Sequence, residues 1–138
     1  MTTPTLTFTS NLHRQRRRNG RVELQPQAPS APSVAPVGRV PRISRLMALA
    51  IRFDEMLRRG EVKDLAELAR LGHVTRARAT QILNLTMLAP DIQEALLMLP
   101  AVERGRDAVK EWQVRPIAAE PVWGRQRRMW RDLNRART

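Results

Sequence analysis

The chain has no cysteine and no tyrosine among its 138 residues, and its aromatic complement is three tryptophans and two phenylalanines. Without cysteine there is no disulfide framework, no thiolate zinc site and no cysteine nucleophile, a composition that fits a reducing cytoplasm. Without tyrosine, a tyrosine recombinase is excluded. The two histidines, His13 and His73, lie far apart, so no metal site is expected, nor any other cofactor. The longest apolar runs, such as LMALAI at 46–51, fall well short of the roughly 18 residues that span a bilayer. The opening MTTPTLTFTSNLHRQRRRNG has its basic run after a polar stretch rather than before an apolar one, which is not the layout of a secretory signal. The expectation is a soluble cytoplasmic protein without membrane contact. Catalysis is not expected either. No glycine-rich phosphate loop is present, no nucleophile is paired with a base, and Asp54, Glu55, Glu61, Asp64 and Glu67 fall at helix ends where capping and dipole effects account for them.

Acids are scarce, and their distribution says more than their number. The formal charge is +12. Residues 1–45 carry eight arginines against Glu23 alone, residues 46–103 are close to neutral, and residues 104–138 carry ten bases against four acids. Two basic arms therefore flank a neutral middle. Such arms attract a polyanion by counterion release, which ignores sequence and weakens with salt. All the bases but Lys63 and Lys110 are arginine, which forks onto phosphates and guanine edges better than lysine does. Nucleic acid is the expected partner, ahead of a role for the arms in solubility alone.

Residues 1–40 read as a disordered basic arm and linker. QPQAPSAPSVAPVG has too little apolar surface to offset the entropy of ordering, and no strand or hairpin is expected anywhere in the chain. The linker tethers the block HRQRRRNGR, whose Arg14, Arg16, Arg17 and Arg18 are candidate phosphate contacts. From Pro41 the pattern turns helical. Ile43, Leu46, Ala50, Phe53 and Leu57 mark one face of a first helix that Gly60 ends. Asp64 and Glu67 suit a capping box for a second helix, with Leu65, Leu68, Ala69 and Leu71 inward and Gly72 making the turn. Thr75 caps a third helix over residues 75–86, and Pro90 opens a fourth with Ile92, Ala95, Leu96 and Leu99 as its stripe. Asp107 is expected to cap a short fifth helix holding Val109 and Trp112, which Pro116 breaks. A last helix follows Pro121. The fold class is all-α, five to six helices, divided as a helix-turn-helix domain at 41–103 and a basic, tryptophan-containing extension at 104–138.

At about 100° per residue, Ala79, Ile82 and Leu83 cluster on one side of the third helix, while Ala77, Thr80, Gln81 and Asn84 fall on the other. Arg76 sits at the amino end and Arg78 at the flank. This outer face is short, polar and free of acids. A small Ala69 where two helices cross, a glycine turn and a polar second helix are the requirements of a helix-turn-helix, whose second helix offers side chains to base edges in the major groove. Arg76, Ala77, Arg78, Thr80, Gln81 and Asn84 are the candidate base contacts, with Gln81 suited to an adenine edge and an arginine to guanine. Thr75, Arg125, Arg127 and Arg128 join the candidate phosphate contacts.

The segment KDLAELARLGHVTRARATQILNLTMLAPDIQEALL, residues 63–97, resembles the helix-turn-helix core of the ParB/KorB partition-protein family. It is also similar to small helix-turn-helix proteins and carboxy-terminal segments associated with bacterial site-specific recombinases and prophage elements. The likeness covers about a quarter of the chain. It implies sequence-specific DNA contact through Arg76, Ala77, Arg78, Thr80 and Gln81. Only two residues separate Ala69 from Gly72, one fewer than in many repressors, and Ala79 stands where valine is usual. Nothing resembles the partition family's nucleotide-binding domain, so its CTP chemistry is not carried over.

The expected function is sequence-specific binding of double-stranded DNA by a transcription regulator or DNA recombination accessory of a bacterial mobile element, located with the nucleoid. A homodimer and a site-specific recombinase are candidate protein partners. Two other classes compete: an RNA-binding protein using its arginine arms, and an adaptor whose tryptophan helix docks on a recombinase. Trp112, Trp123 and Trp130 offer stacking surfaces for unpaired bases, but at helical spacing they are expected to cover the core or a partner chain. His73 is expected to be exposed.

Overall fold

The computed structural model describes residues 12–16, 22–26 and 38–138. Residues 37–138 form one compact unit and residues 1–36 another. In the first, β1 (Leu12–Arg16) pairs antiparallel with β2 (Val22–Pro26), Leu12 opposite Pro26 and Arg16 opposite Val22. Asn19-Gly20, a strong short-range hairpin signal, lies in the connecting sequence.

The larger unit is all-α. Its helices are α1 (Arg42–Arg58), α2 (Leu65–Leu71), α3 (Arg76–Leu83), α4 (Pro90–Leu97), α5 (Glu111–Ala119) and α6 (Trp123–Arg137), with a 3-10 turn at Asn84–Met87 continuing α3. Helix α1 is the axis: Ile43, Met47, Ala50 and Phe53 are buried along it, and α3, the 3-10 turn and α4 pack on that face. Each large aliphatic side chain so buried, Ile82, Leu85, Ile92 and Leu96 among them, contributes about 1.5 to 3 kcal/mol. Ser44, on the same face, donates from Oγ to the Leu96 carbonyl at 2.6 Å and so satisfies one of the free carbonyls at the end of α4.

Local chemistry explains the helix ends. Glu61 N–H donates to Met56 O at 3.0 Å and Gly60 N–H to Leu57 O at 3.3 Å, with Gly60 at φ 70°, so α1 ends in a Schellman motif with glycine in the left-handed position. Asp64 accepts from Glu67 N–H at 2.9 Å, as expected for the α2 cap; Glu67 reaches back to Lys63 N–H at 2.7 Å, one residue before the cap. The end of α2 differs from expectation. Val74 N–H donates to Ala69 O at 3.0 Å and His73 N–H to Arg70 O at 3.3 Å, again a Schellman pattern, but the left-handed residue is His73 at φ 52° and Gly72 is right-handed at φ −81°. Gly72 packs closely instead: a Cβ there would sit 3.3 Å from Phe53 Cζ, tighter than an ordinary contact. Leu71, expected inward, is 56% exposed, because the chain leaves the helix before that side chain can turn under it.

Three readings of the carboxy-terminal third are corrected. First, residues 104–138 are not an appendage: Val109, Val114, Ile117 and Ala118 belong to the same buried cluster as α1. Second, Asp107 does not cap the fifth helix. Its Oδ2 accepts Arg42 N–H at 2.9 Å, at the start of α1, and its other oxygen pairs with Arg39. Beside it Arg39 and Val102 exchange backbone hydrogen bonds of 3.0 and 2.8 Å. Third, Pro116 lies inside α5 without breaking it. Its ring removes the hydrogen bond to Trp112 O, yet burial of Val114, Ile117 and Ala118 on either side holds the helix. Helix α6 is fastened by Gln126, which is 1% exposed. Its Oε1 accepts Ala89 N–H at 2.8 Å, and its Nε2 donates to Met87 O at 3.1 Å and to Glu120 O at 2.7 Å.

Candidate functional site

Helix α3 is set by two local devices: the Schellman turn before it and Thr75, whose Oγ1 accepts Arg78 N–H at 3.1 Å. Ala79 and Ile82 are buried beneath it, while Arg76, Ala77, Thr80, Gln81 and Asn84 are all exposed. The outer ridge read from the 3.6-residue period therefore faces outward in the fold. The helix proper ends at Leu83, with Asn84 opening the 3-10 turn, so the span 75–86 divides between two kinds of helix. Thr80 donates from Oγ1 to Arg76 O at 3.0 Å.

The ridge itself carries no acid, but at its flank Arg78 meets one from 33 positions along the chain. Glu111, first residue of α5, grips the Arg78 guanidinium with both carboxylate oxygens, the Nη2–Oε2 bond being 2.9 Å. The same carboxylate takes Arg115 Nη2 at 3.0 Å. Gln81 Oε1 accepts from Arg78 Nη1 at 3.2 Å and from Arg115 Nη2 at 3.0 Å. Arg78, Glu111, Arg115 and Gln81 thus form a closed ring across α3 and α5. Its exposure is graded: the side chains of Glu111 and Arg78 are 15% and 24% exposed, and that of Arg115 is 47%. The Arg78 guanidinium holds the Glu111 carboxyl below the usual carboxylate range, with help from Arg115 and against the opposing effect of burial. Reciprocally, Glu111 raises Arg78 above the ordinary arginine value.

Next to the ring a groove of about 320 Å³ runs between the end of α3 and α5, with Gln81, Asn84 and Arg115 on its polar side and Leu85, Ala118 and Ala119 among its floor residues. Glu111 and Arg115 were not candidates from the sequence. Their i to i+4 spacing on α5 is a local signal, but nothing local relates them to α3.

The other predicted contacts scatter. Arg14 and Arg16 lie in β1, and Arg17 and Arg18 lie outside the described residues. On α6, Arg127 is committed to Asp91 through bonds of 3.0 and 3.1 Å and lies 6.0 Å from the Trp123 ring centre. Arg127 lowers the Asp91 carboxyl pKa from its ordinary value. Arg125 stands 4.0 Å from Glu120, and Arg128 is exposed. The tryptophans divide. Trp130 packs on the core, but Trp112 and Trp123 are 65% and 49% exposed and do not cover it. His73 is exposed.

No helix among the described residues is long and apolar enough to cross a membrane, and no three His, Asp or Glu side chains there converge as a metal site would require. Comparison of the chain with protein-family models, with curated proteins and with solved structures finds no match.

Proposed function

We propose that the chain acts by binding rather than catalysis, as a sequence-specific double-stranded DNA-binding protein that lays α3 in the major groove. The observation that carries this reading is the exposed, largely polar ridge Arg76, Ala77, Thr80, Gln81 and Asn84 on a helix whose opposite side is sunk in the core. A helix so placed can enter the open major groove of B-DNA but not the narrow one of A-form RNA, which favours DNA over RNA. Arg128 and the basic run of the amino-terminal arm add affinity that ignores sequence. One helix reads few base pairs, so useful discrimination calls for a homodimer on two half-sites about one helical turn apart. A role in transcription regulation or in recombination of a mobile element, with a recombinase as partner and a nucleoid location, rests on the resemblance of residues 63–97. The exposed Trp112 and Trp123 support one further reading, an adaptor that docks on a larger protein.

Binding to duplex fragments at several salt concentrations tests the proposal. In a variant with Thr80, Gln81 and Asn84 all changed to alanine, site preference is expected to disappear while salt-sensitive background binding persists. A preference unchanged by these three substitutions overturns it.

A further inference from the structure

The ring around Glu111 determines what the ridge can read. A glutamine usually pairs with adenine by accepting from N6 and donating to N7 at once. Gln81 is not free to do so. Its carbonyl oxygen has two lone pairs, and both are taken, by Arg78 Nη1 at 3.2 Å and Arg115 Nη2 at 3.0 Å. The amide cannot be turned round, since its NH₂ would then face two guanidinium donors. Glu111 fixes both arginines in this arrangement, accepting from Arg78 on both oxygens and from Arg115 Nη2 at 3.0 Å and Nε at 3.3 Å. On the two exposed members of the ring, the groups left unpaired are of one kind: the Gln81 NH₂ and the Arg115 Nη1 hydrogens, all donors.

We infer that Arg78, Glu111, Arg115 and Gln81 form a donor-only reading head that selects guanine and rejects adenine at the position facing Gln81. This rests on the DNA-binding reading of α3 and specifies it. Guanine offers two acceptors in the major groove, O6 and N7, whereas adenine sets its N6 donor against the head. Glu111 and Arg115 are positioning residues here: they act on specificity by occupying the Gln81 carbonyl.

Selection of bound sequences from a random duplex pool, run with the full wild-type chain, with Gln81→Ala and with Arg115→Met, tests the inference. Positions whose preference disappears in Q81A are those Gln81 reads. In the wild type these are expected to be guanine, favoured over adenine by roughly tenfold or more, the scale of a single well-made base contact. Binding there is expected to survive inosine, which keeps O6 and N7, and to drop with 7-deazaguanine. R115M frees one lone pair of Gln81 and is expected to admit adenine at the same positions, a change of ratio that a loss of general affinity does not produce. Arg115 is half exposed and lies outside the core, so R115M is expected to keep the wild-type helical circular dichroism. Adenine at the Gln81 positions of the wild type, or an R115M profile identical to wild type, overturns the reading head while leaving DNA recognition by α3 standing. Recovery of no motif at all overturns both.

Discussion

Replacing Gln126 by methionine keeps the length and most of the volume of the side chain but removes its three hydrogen bonds. In the native fold the residue is 1% exposed and satisfies Ala89 N–H, Met87 O and Glu120 O. Ala89 is the N-cap residue of α4, so its N–H has no intrahelical acceptor. Leaving that donor dry costs about 1 to 3 kcal/mol, and the two carbonyls add less because an under-satisfied oxygen is better tolerated. A total loss of about 2 to 4 kcal/mol is a large share of the roughly 5 to 15 kcal/mol that holds a domain of this size. The variant is expected to fold, with a urea midpoint lower by about 1 to 3 M at an unchanged slope. Far-ultraviolet circular dichroism and tryptophan fluorescence along one urea series measure it, and Trp130, partly buried against the core, reports directly on α6. A midpoint within the error of wild type would show that water reaches these groups and that Gln126 does not fasten the helix.

Two further perturbations separate the local devices. His73→Gly is expected to raise the thermal midpoint, by up to about 1 kcal/mol in stability, because His73 sits at φ 52°, where glycine carries no steric cost. Gly72→Ala is expected to lower it, since the new Cβ would crowd Phe53; the reverse order would refute the turn geometry. The acid limb of stability reports on Glu111 and Asp107. Both carboxyls are held below their ordinary values of 4.5 and 3.8, Glu111 chiefly by Arg78 and Asp107 chiefly by the Arg42 N–H. Their stabilisation is therefore complete above those ordinary values and is lost as pH falls through the lower folded-state values. In denaturation curves collected from neutral pH down to about 2, wild type is expected to weaken in this window, and Glu111→Gln to show a shallower decline.

The features legible in the sequence are those whose cause lies within a few residues. Asp64 and Thr75 cap by reaching three positions forward, Pro90 opens α4, and the alternation of Ala79 and Ile82 with Ala77, Thr80 and Gln81 sorts α3 into a buried and an open side. The features that escaped it join distant positions. Glu111 meets Arg78 across 33 residues, Gln126 meets Ala89 across 37, and Asp107 meets Arg42 across 65. No period announces a single polar side chain that finds its partner only after the helices have packed. Pro116 and Leu71 depart from expectation for a related reason: propensity and period describe one element, and packing against neighbours overrides both.

The clip between the start of α1 and the segment before α5 carries a consequence for the order in which the fold can close. Helix α1 emerges from the ribosome early, but the carboxylate that receives its Arg42 amide is encoded 65 codons later, next to the strand of chain that Arg39 grips. The apolar face of α1 is covered by α3, the 3-10 turn and α4, all made before residue 98, whereas the clip on its first turn closes only once Asp107 has been added.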